Sequence, residues 1–114
     1  MKVAISIEAG SDLRAPACPS FSRAPRFLVH DTRTGDMTVV ENTAASGAHG
    51  AGTGAAALMA QQGVEAVISG RFGPNAYQAL KAAGIRMFMS VSDANARAAL
   101  ERLQAGLLKE ASPA

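Results

Sequence analysis

Cysteine occurs once in this chain, as Cys18, and tryptophan not at all. A single thiol excludes an internal disulfide, in keeping with a reducing compartment. It also excludes a self-contained iron–sulfur site, which draws about four thiolates from its protein. Aromatic residues make up 4% of the sequence, four Phe and one Tyr, so the core has to be built from alanine and Val/Ile/Leu. No apolar run approaches the ~20 residues that span a bilayer, and residues 1–10 alternate like a strand instead of opening with a charged and then apolar leader. The expected location is the cytoplasm, without membrane contact. The net charge of +2 is mild, and the dense basic stripe interleaved with aromatics that marks nucleic-acid binders is missing.

Carboxylates are also thin where catalysis would need them. The first strand carries none before Glu8, and Asp31 and Glu41 stand far apart, which leaves two-metal hydrolysis without a ligand set. Cys18 with His49 has no third group to orient it. Enzymatic activity is therefore not expected.

What is present is a clear alternation of breakers and apolar runs. At 114 residues the chain suits one core, expected over residues 1–108 with 109–114 as a frayed tail. Lys2 to Ile7 alternate with period two. Phe27 to Asp31 and Met37 to Glu41 flank a short turn containing Gly35, which predicts an antiparallel hairpin. Residues 50–62 read as a small-residue helix stopped by Gly63, and Ala66 to Ser69 as a buried strand. Gly73-Pro74-Asn75 opens a helix with proline in its first position, burying Ala76, Leu80 and Ala83. Arg86 to Met89 is the last predicted strand, and Ser92-Asp93 would cap a final helix facing inward through Ala96, Leu100, Leu103 and Leu107. The order is β-β-β-α-β-α-β-α. This predicts an α/β fold with a mixed five-stranded sheet and helices on both faces.

Two loops gather the chemistry. Residues 8–24 are rich in Gly, Ser and Pro and contain Cys18, Ser20, Phe21 and Arg23, a composition that suggests mobility. Residues 46–53 contain His49, Gly50 and Gly52. Sulfur and imidazole beside a cation suit a thiophilic metal or an anionic metal–sulfur cluster, with Cys18 and His49 as the candidate metal ligands. Cys18, between Ala17 and Pro19, is expected to be exposed enough to ionise; the bland reading is an incidental small residue. His49 could as well be a hydrogen-bonded loop histidine. If the loops converge, Arg14, Arg23, Arg26 and Arg71 form a small positive mouth. Gly50-Ala51-Gly52-Thr53-Gly54-Ala55 fits a dinucleotide fingerprint in letters only, since no parallel strand directly precedes it and no suitably placed acid follows. What remains of that stretch is simpler: amides of residues 50–53 and 74–76 are helix-start donors that favour anions.

Five short segments stand in order along the chain: Phe21-Ser22-Arg23-Ala24, Glu41-Asn42, His49-Gly50-Ala51-Gly52, Gly73-Pro74-Asn75-Ala76 and Ala83-Gly84-Ile85. Through them, over roughly residues 2–107, the sequence resembles the dinitrogenase iron-molybdenum cofactor biosynthesis family, small ribonuclease H-like domains that include nitrogenase cofactor carriers and orange proteins. Where members often carry His-Phe-Gly or Arg-Phe-Gly, this chain has Ser20-Phe21-Ser22. The resemblance implies a three-layer ribonuclease H-like fold. It also implies a non-catalytic protein that binds or carries an anionic cluster of molybdenum with iron or copper. Taken together with the chemistry of the two loops, the expected reversible site is Cys18, Ser20, Phe21, Arg23, His49, Gly50, Gly52 and Arg71. Partners would be proteins that donate and accept the cluster, and a homodimer would let two Cys18 thiolates face one cluster. The alternative is a regulatory module of the same fold that binds a protein partner without cofactor.

Overall fold

The computed structural model describes residues 1–45, 50–90 and 95–112. Six strands and three helices follow one another as β1 (Lys2–Ile7), β2 (Arg26–Asp31), β3 (Met37–Glu41), α1 (Ala51–Gln61), β4 (Ala66–Ser69), α2 (Pro74–Ala82), β5 (Arg86–Met89), α3 (Ala96–Gln104) and β6 (Lys109–Glu110). They make one mixed sheet in the order β3-β2-β1-β4-β5-β6. The hairpin partners β2 and β3 are antiparallel, as are β1 and β2, whereas β1–β4 and β4–β5 are parallel. Strand β1 is thus the point where the winding reverses, and the crevice at the C-terminal ends of β1 and β4 is where open α/β sheets take their ligands.

Both faces of the sheet are covered, so alternate residues of each central strand enter different cores. Ala4, Phe27, Val67 and Met87 meet α1 and α2 through Ala55, Ala56, Met59, Ala76 and Leu80. Val3, Ile5, Leu28, Ile68 and Phe88 meet α3 through Ala96, Ala99 and Leu100. The result is the three-layer α/β arrangement, and alanine is what lets α1 lie close to the sheet.

Four expectations need correction. The sheet has six strands, because residues 109–110 pair antiparallel with β5 (Phe88 opposite Glu110, Met89 opposite Lys109) instead of fraying. Ala83 is exposed because it is already the C-cap of α2. Leu107 lies beyond the end of α3 and is 74% exposed. The N-cap of α3 is Asn95, whose side chain accepts from Ala98 N–H at 2.8 Å; Ser92 and Asp93 lie outside the described residues.

The loop of residues 8–24 also departs from the mobile segment its composition suggests. Phe21 and Ala24 are fully buried, and isolated bridges join Ile7 to Ala17 and Pro16 to Asn95. Its glycine and prolines shape turns, while its apolar residues anchor it to the core.

Candidate functional site

The loops leaving β1 and β4 are fastened to each other at the C-terminal edge of the sheet. Cys18 N–H donates to the Ser6 carbonyl at 2.7 Å. In return the buried Ser6 hydroxyl donates to the Cys18 carbonyl at 2.7 Å, and the hydroxyl of Ser69, on the neighbouring strand, lies 2.8 Å from that of Ser6. Phe21 N–H donates to the Arg71 carbonyl at 3.1 Å. The two backbones approach so closely that a Cβ on Gly70 would sit 2.8 Å from Pro19 Cα and O. Only glycine fits that crossing.

Above this platform the starts of α1 and α2 converge. Neither helix has a side-chain cap: the N-cap residues are Gly50, in the left-handed region at φ 77°, and Gly73. The N-terminal amides of each helix are therefore left without a capping side chain, at the positive end of the helix dipole. The helices meet at Gly52, where a Cβ would come 3.0 Å from Ala76 N and 3.1 Å from Ser22 Oγ. Together with Arg23 these elements enclose a groove of about 290 Å³ lined by Ser22, Arg23, Gly50–Gly52 and Gly73–Ala76.

Asn42 holds the wall of this groove. It is buried at the end of β3, and its amide donates to the carbonyls of Ser22 at 3.1 Å and Ala24 at 2.9 Å, while its Oδ1 accepts from Ala44 N–H at 3.2 Å. Arg23 is oriented from the other side, with Nη1 donating to the Ala45 carbonyl. The sequence marks Asn42 as part of a motif without indicating its task, and Ser6 and Ser69 look like ordinary strand positions. The only signal that could have found them is a polar residue inside an otherwise apolar run, since a buried hydroxyl requires a partner.

Of the predicted site residues, Arg23, Gly50 and Gly52 line the groove, and His49 lies outside the described residues. Ser20 acts at one remove, its Oγ accepting from Arg23 N–H at 3.3 Å. Phe21 is buried beneath, with ring centroids 5.2 Å from Phe27 and 5.4 Å from Phe72. Arg71 lines a different groove with Phe72, Met89 and Lys109. The four-arginine mouth does not form: Arg14 pairs with Asp12 at 3.4 Å, and Arg26 with Glu41 at 3.0 Å and with the Gly10 carbonyl at 3.1 Å. Nearby carboxylates capture these cations before they can reach the groove.

Cys18 is the largest correction. It is 6% exposed and not part of the groove lining. Burial pushes the thiol pKa up, and the neighbouring Glu8 carboxylate adds to the shift, outweighing the Ser20 backbone amide and Arg71, which lower it. The group is therefore a neutral thiol at neutral pH. Its alkylation by iodoacetamide at pH 7.5 is expected to be slower than in 8 M urea by roughly 100-fold or more, since only the accessible thiolate reacts. Equal rates in the two solutions would show that the buried thiol is a false picture.

Comparison with known proteins agrees with the fold. Residues 1–106 match the family described as dinitrogenase iron-molybdenum cofactor. The orange protein of Desulfovibrio gigas, solved in its apo form, superposes with a TM-score of 0.93 at 34% identity, covering 98% of this chain and 93% of that one. A NifB-like protein of the DUF35 family from Thermotoga gives 0.84 at 35% identity over 96% and 91%. An uncharacterised protein of Methanocaldococcus jannaschii is 35% identical over 91 residues, 77% of this chain and 73% of its own length.

Proposed function

Because the chain belongs to the dinitrogenase iron-molybdenum cofactor family, we propose that it binds an anionic metal–sulfur cluster of molybdenum with iron or copper, carried or stored in the groove between α1 and α2. The observation that carries this reading is the meeting of two helix starts without side-chain caps at Gly52, beside Arg23. Helix-start amides and the dipoles behind them favour negative charge. The guanidinium adds charge-assisted hydrogen bonds, and Gly52 lets the two helix starts approach closely enough to share one groove.

The donors described in this lining are N–H and O–H groups. They hold an anionic cluster through its outer sulfides, without replacing its own bonds. Such retention is reversible, as delivery to an acceptor protein requires. Ser22 adds a hydroxyl to this lining. No catalytic step is assigned to these residues. Among the described residues, no helix is long and apolar enough to cross a membrane, and the protein is proposed to act in the cytoplasm with cluster donor and acceptor proteins.

The test is anaerobic reconstitution with tetrathiomolybdate plus copper or iron, read by metal and sulfide content and by sulfide-to-metal charge-transfer bands. Wild type should take up stoichiometric cluster. Arg23→Ala should bind about 10–100-fold more weakly, as expected for a lost hydrogen bond to a charged group. Cys18→Ser should load like wild type. A colourless Cys18→Ser protein would mean that the thiol ligates the cluster, and unimpaired Arg23→Ala would move the site elsewhere.

A further inference from the structure

We propose that the outer edge of β5 is a docking strip for an acidic, extended segment of a protein partner, which pairs with β5 in the place β6 takes in the free chain. Strand β6 is only two residues long and exposed throughout. Its hold on the sheet is the register of Lys109 and Glu110 against β5, a 2.9 Å bond from Ala111 N–H to the Met87 carbonyl, the exposed ion pair of Arg86 Nε with Glu110 at 2.8 Å, and the half-buried Leu108 and Ala111 on either side of it, which pack against the two cores. A strap so short on a sheet edge is easily exchanged for another strand, and edges are the usual sites of strand addition.

The packing around β6 points the same way. Glu110 and Ala111 lie between two grooves, of about 340 Å³ on the side of Tyr77, Lys81 and Arg86 and about 330 Å³ on the side of Arg71, Phe72 and Met89. Lifting the strap joins them into one trough along β5. Its side-chain pockets would then flank a backbone edge that needs hydrogen bonds.

Charge selects the occupant. The two groove linings contain Arg71, Lys81, Arg86 and Lys109 but a single acid, Glu110, and that acid belongs to the strap itself. With β6 displaced, Arg71, Lys81 and Arg86 remain without a carboxylate in the lining. An incoming strand bearing Glu or Asp at alternate positions repeats what Glu110 does for Arg86 and extends it to the other two cations.

The experiment measures fluorescence anisotropy of a labelled peptide of alternating valine and glutamate against the full chain, with a valine–lysine peptide as control. The acidic peptide should bind and the basic one should not. Glu110→Ala, which weakens the strap and frees Arg86, should tighten binding about three- to fivefold, the scale of one exposed ion pair. Arg86→Glu should weaken it roughly tenfold or more by reversing the charge that fixes the register. Both side chains are more than half exposed, so neither change threatens the fold. Equal binding of both peptides, no binding at all, or an unchanged affinity in Glu110→Ala would overturn the proposal. So would concentration-dependent dimerisation of Glu110→Ala without peptide, which would identify the occupant as a second copy of the chain.

Discussion

Gly52→Val should lose cluster uptake almost completely and lower stability by about 1–3 kcal/mol, the usual cost of forcing extra carbon into packed structure. The cause is geometric. The first new carbon meets the Ala76 backbone nitrogen at 3.0 Å and the Ala76 Cβ and Ser22 Oγ at 3.1 Å. A backbone neighbour cannot rotate aside, so the start of α1 must move away from α2. That movement separates the two sets of amides and fills the groove. Gly52→Ala should show the same defect in weaker form. Metal per folded chain after reconstitution, measured beside thermal unfolding, separates the two effects. A folded Gly52→Val protein carrying a full complement of cluster would refute the groove as the site.

Asn42→Ala should be the most damaging polar substitution, costing about 2–4 kcal/mol in urea unfolding. It removes three hydrogen bonds and leaves the carbonyls of Ser22 and Ala24 facing the interior, where an unsatisfied group costs about 1–3 kcal/mol. The damage should spread to binding, because those carbonyls belong to the segment that presents Arg23. Asn42→Asp distinguishes lost packing from lost donors. A carboxylate facing two carbonyls binds its proton more tightly folded than unfolded, so this variant should gain stability as the pH falls through the carboxylate range. A variant whose stability does not change with pH there would argue against the bracket.

Much of the architecture was legible in the sequence because local and tertiary signals agree. The runs at β3 and β4 are bounded by glycine or polar residues, that at β5 follows Gly84-Ile85 and ends at Ser90, and all three coincide with the observed strands; Pro74 and Gly84 frame α2 as their backbone preferences require. Strand β6 was illegible because Lys109-Glu110 has neither alternation nor apolar content; only its register against β5 makes it a strand. Cys18 was misread for a related reason. Proline and alanine neighbours signal a loop, but its burial depends on Ser6, twelve residues earlier on the central strand. The arginine cluster failed on pairing, since Asp12 and Glu41 reach Arg14 and Arg26 first. The groove donors were anticipated as separate helix starts, and the close approach at Gly52 is what joins them.

The serine contacts through Ser69, Ser6 and the Cys18 carbonyl tie the segment that leads to Ser22 and Arg23 to two central strands of the sheet. On the proposed function, a segment held in this way would lose little conformational entropy when an anion binds beside it. Capture would then be governed by how often the anion is drawn to the helix starts and Arg23, and would slow as salt screens that attraction.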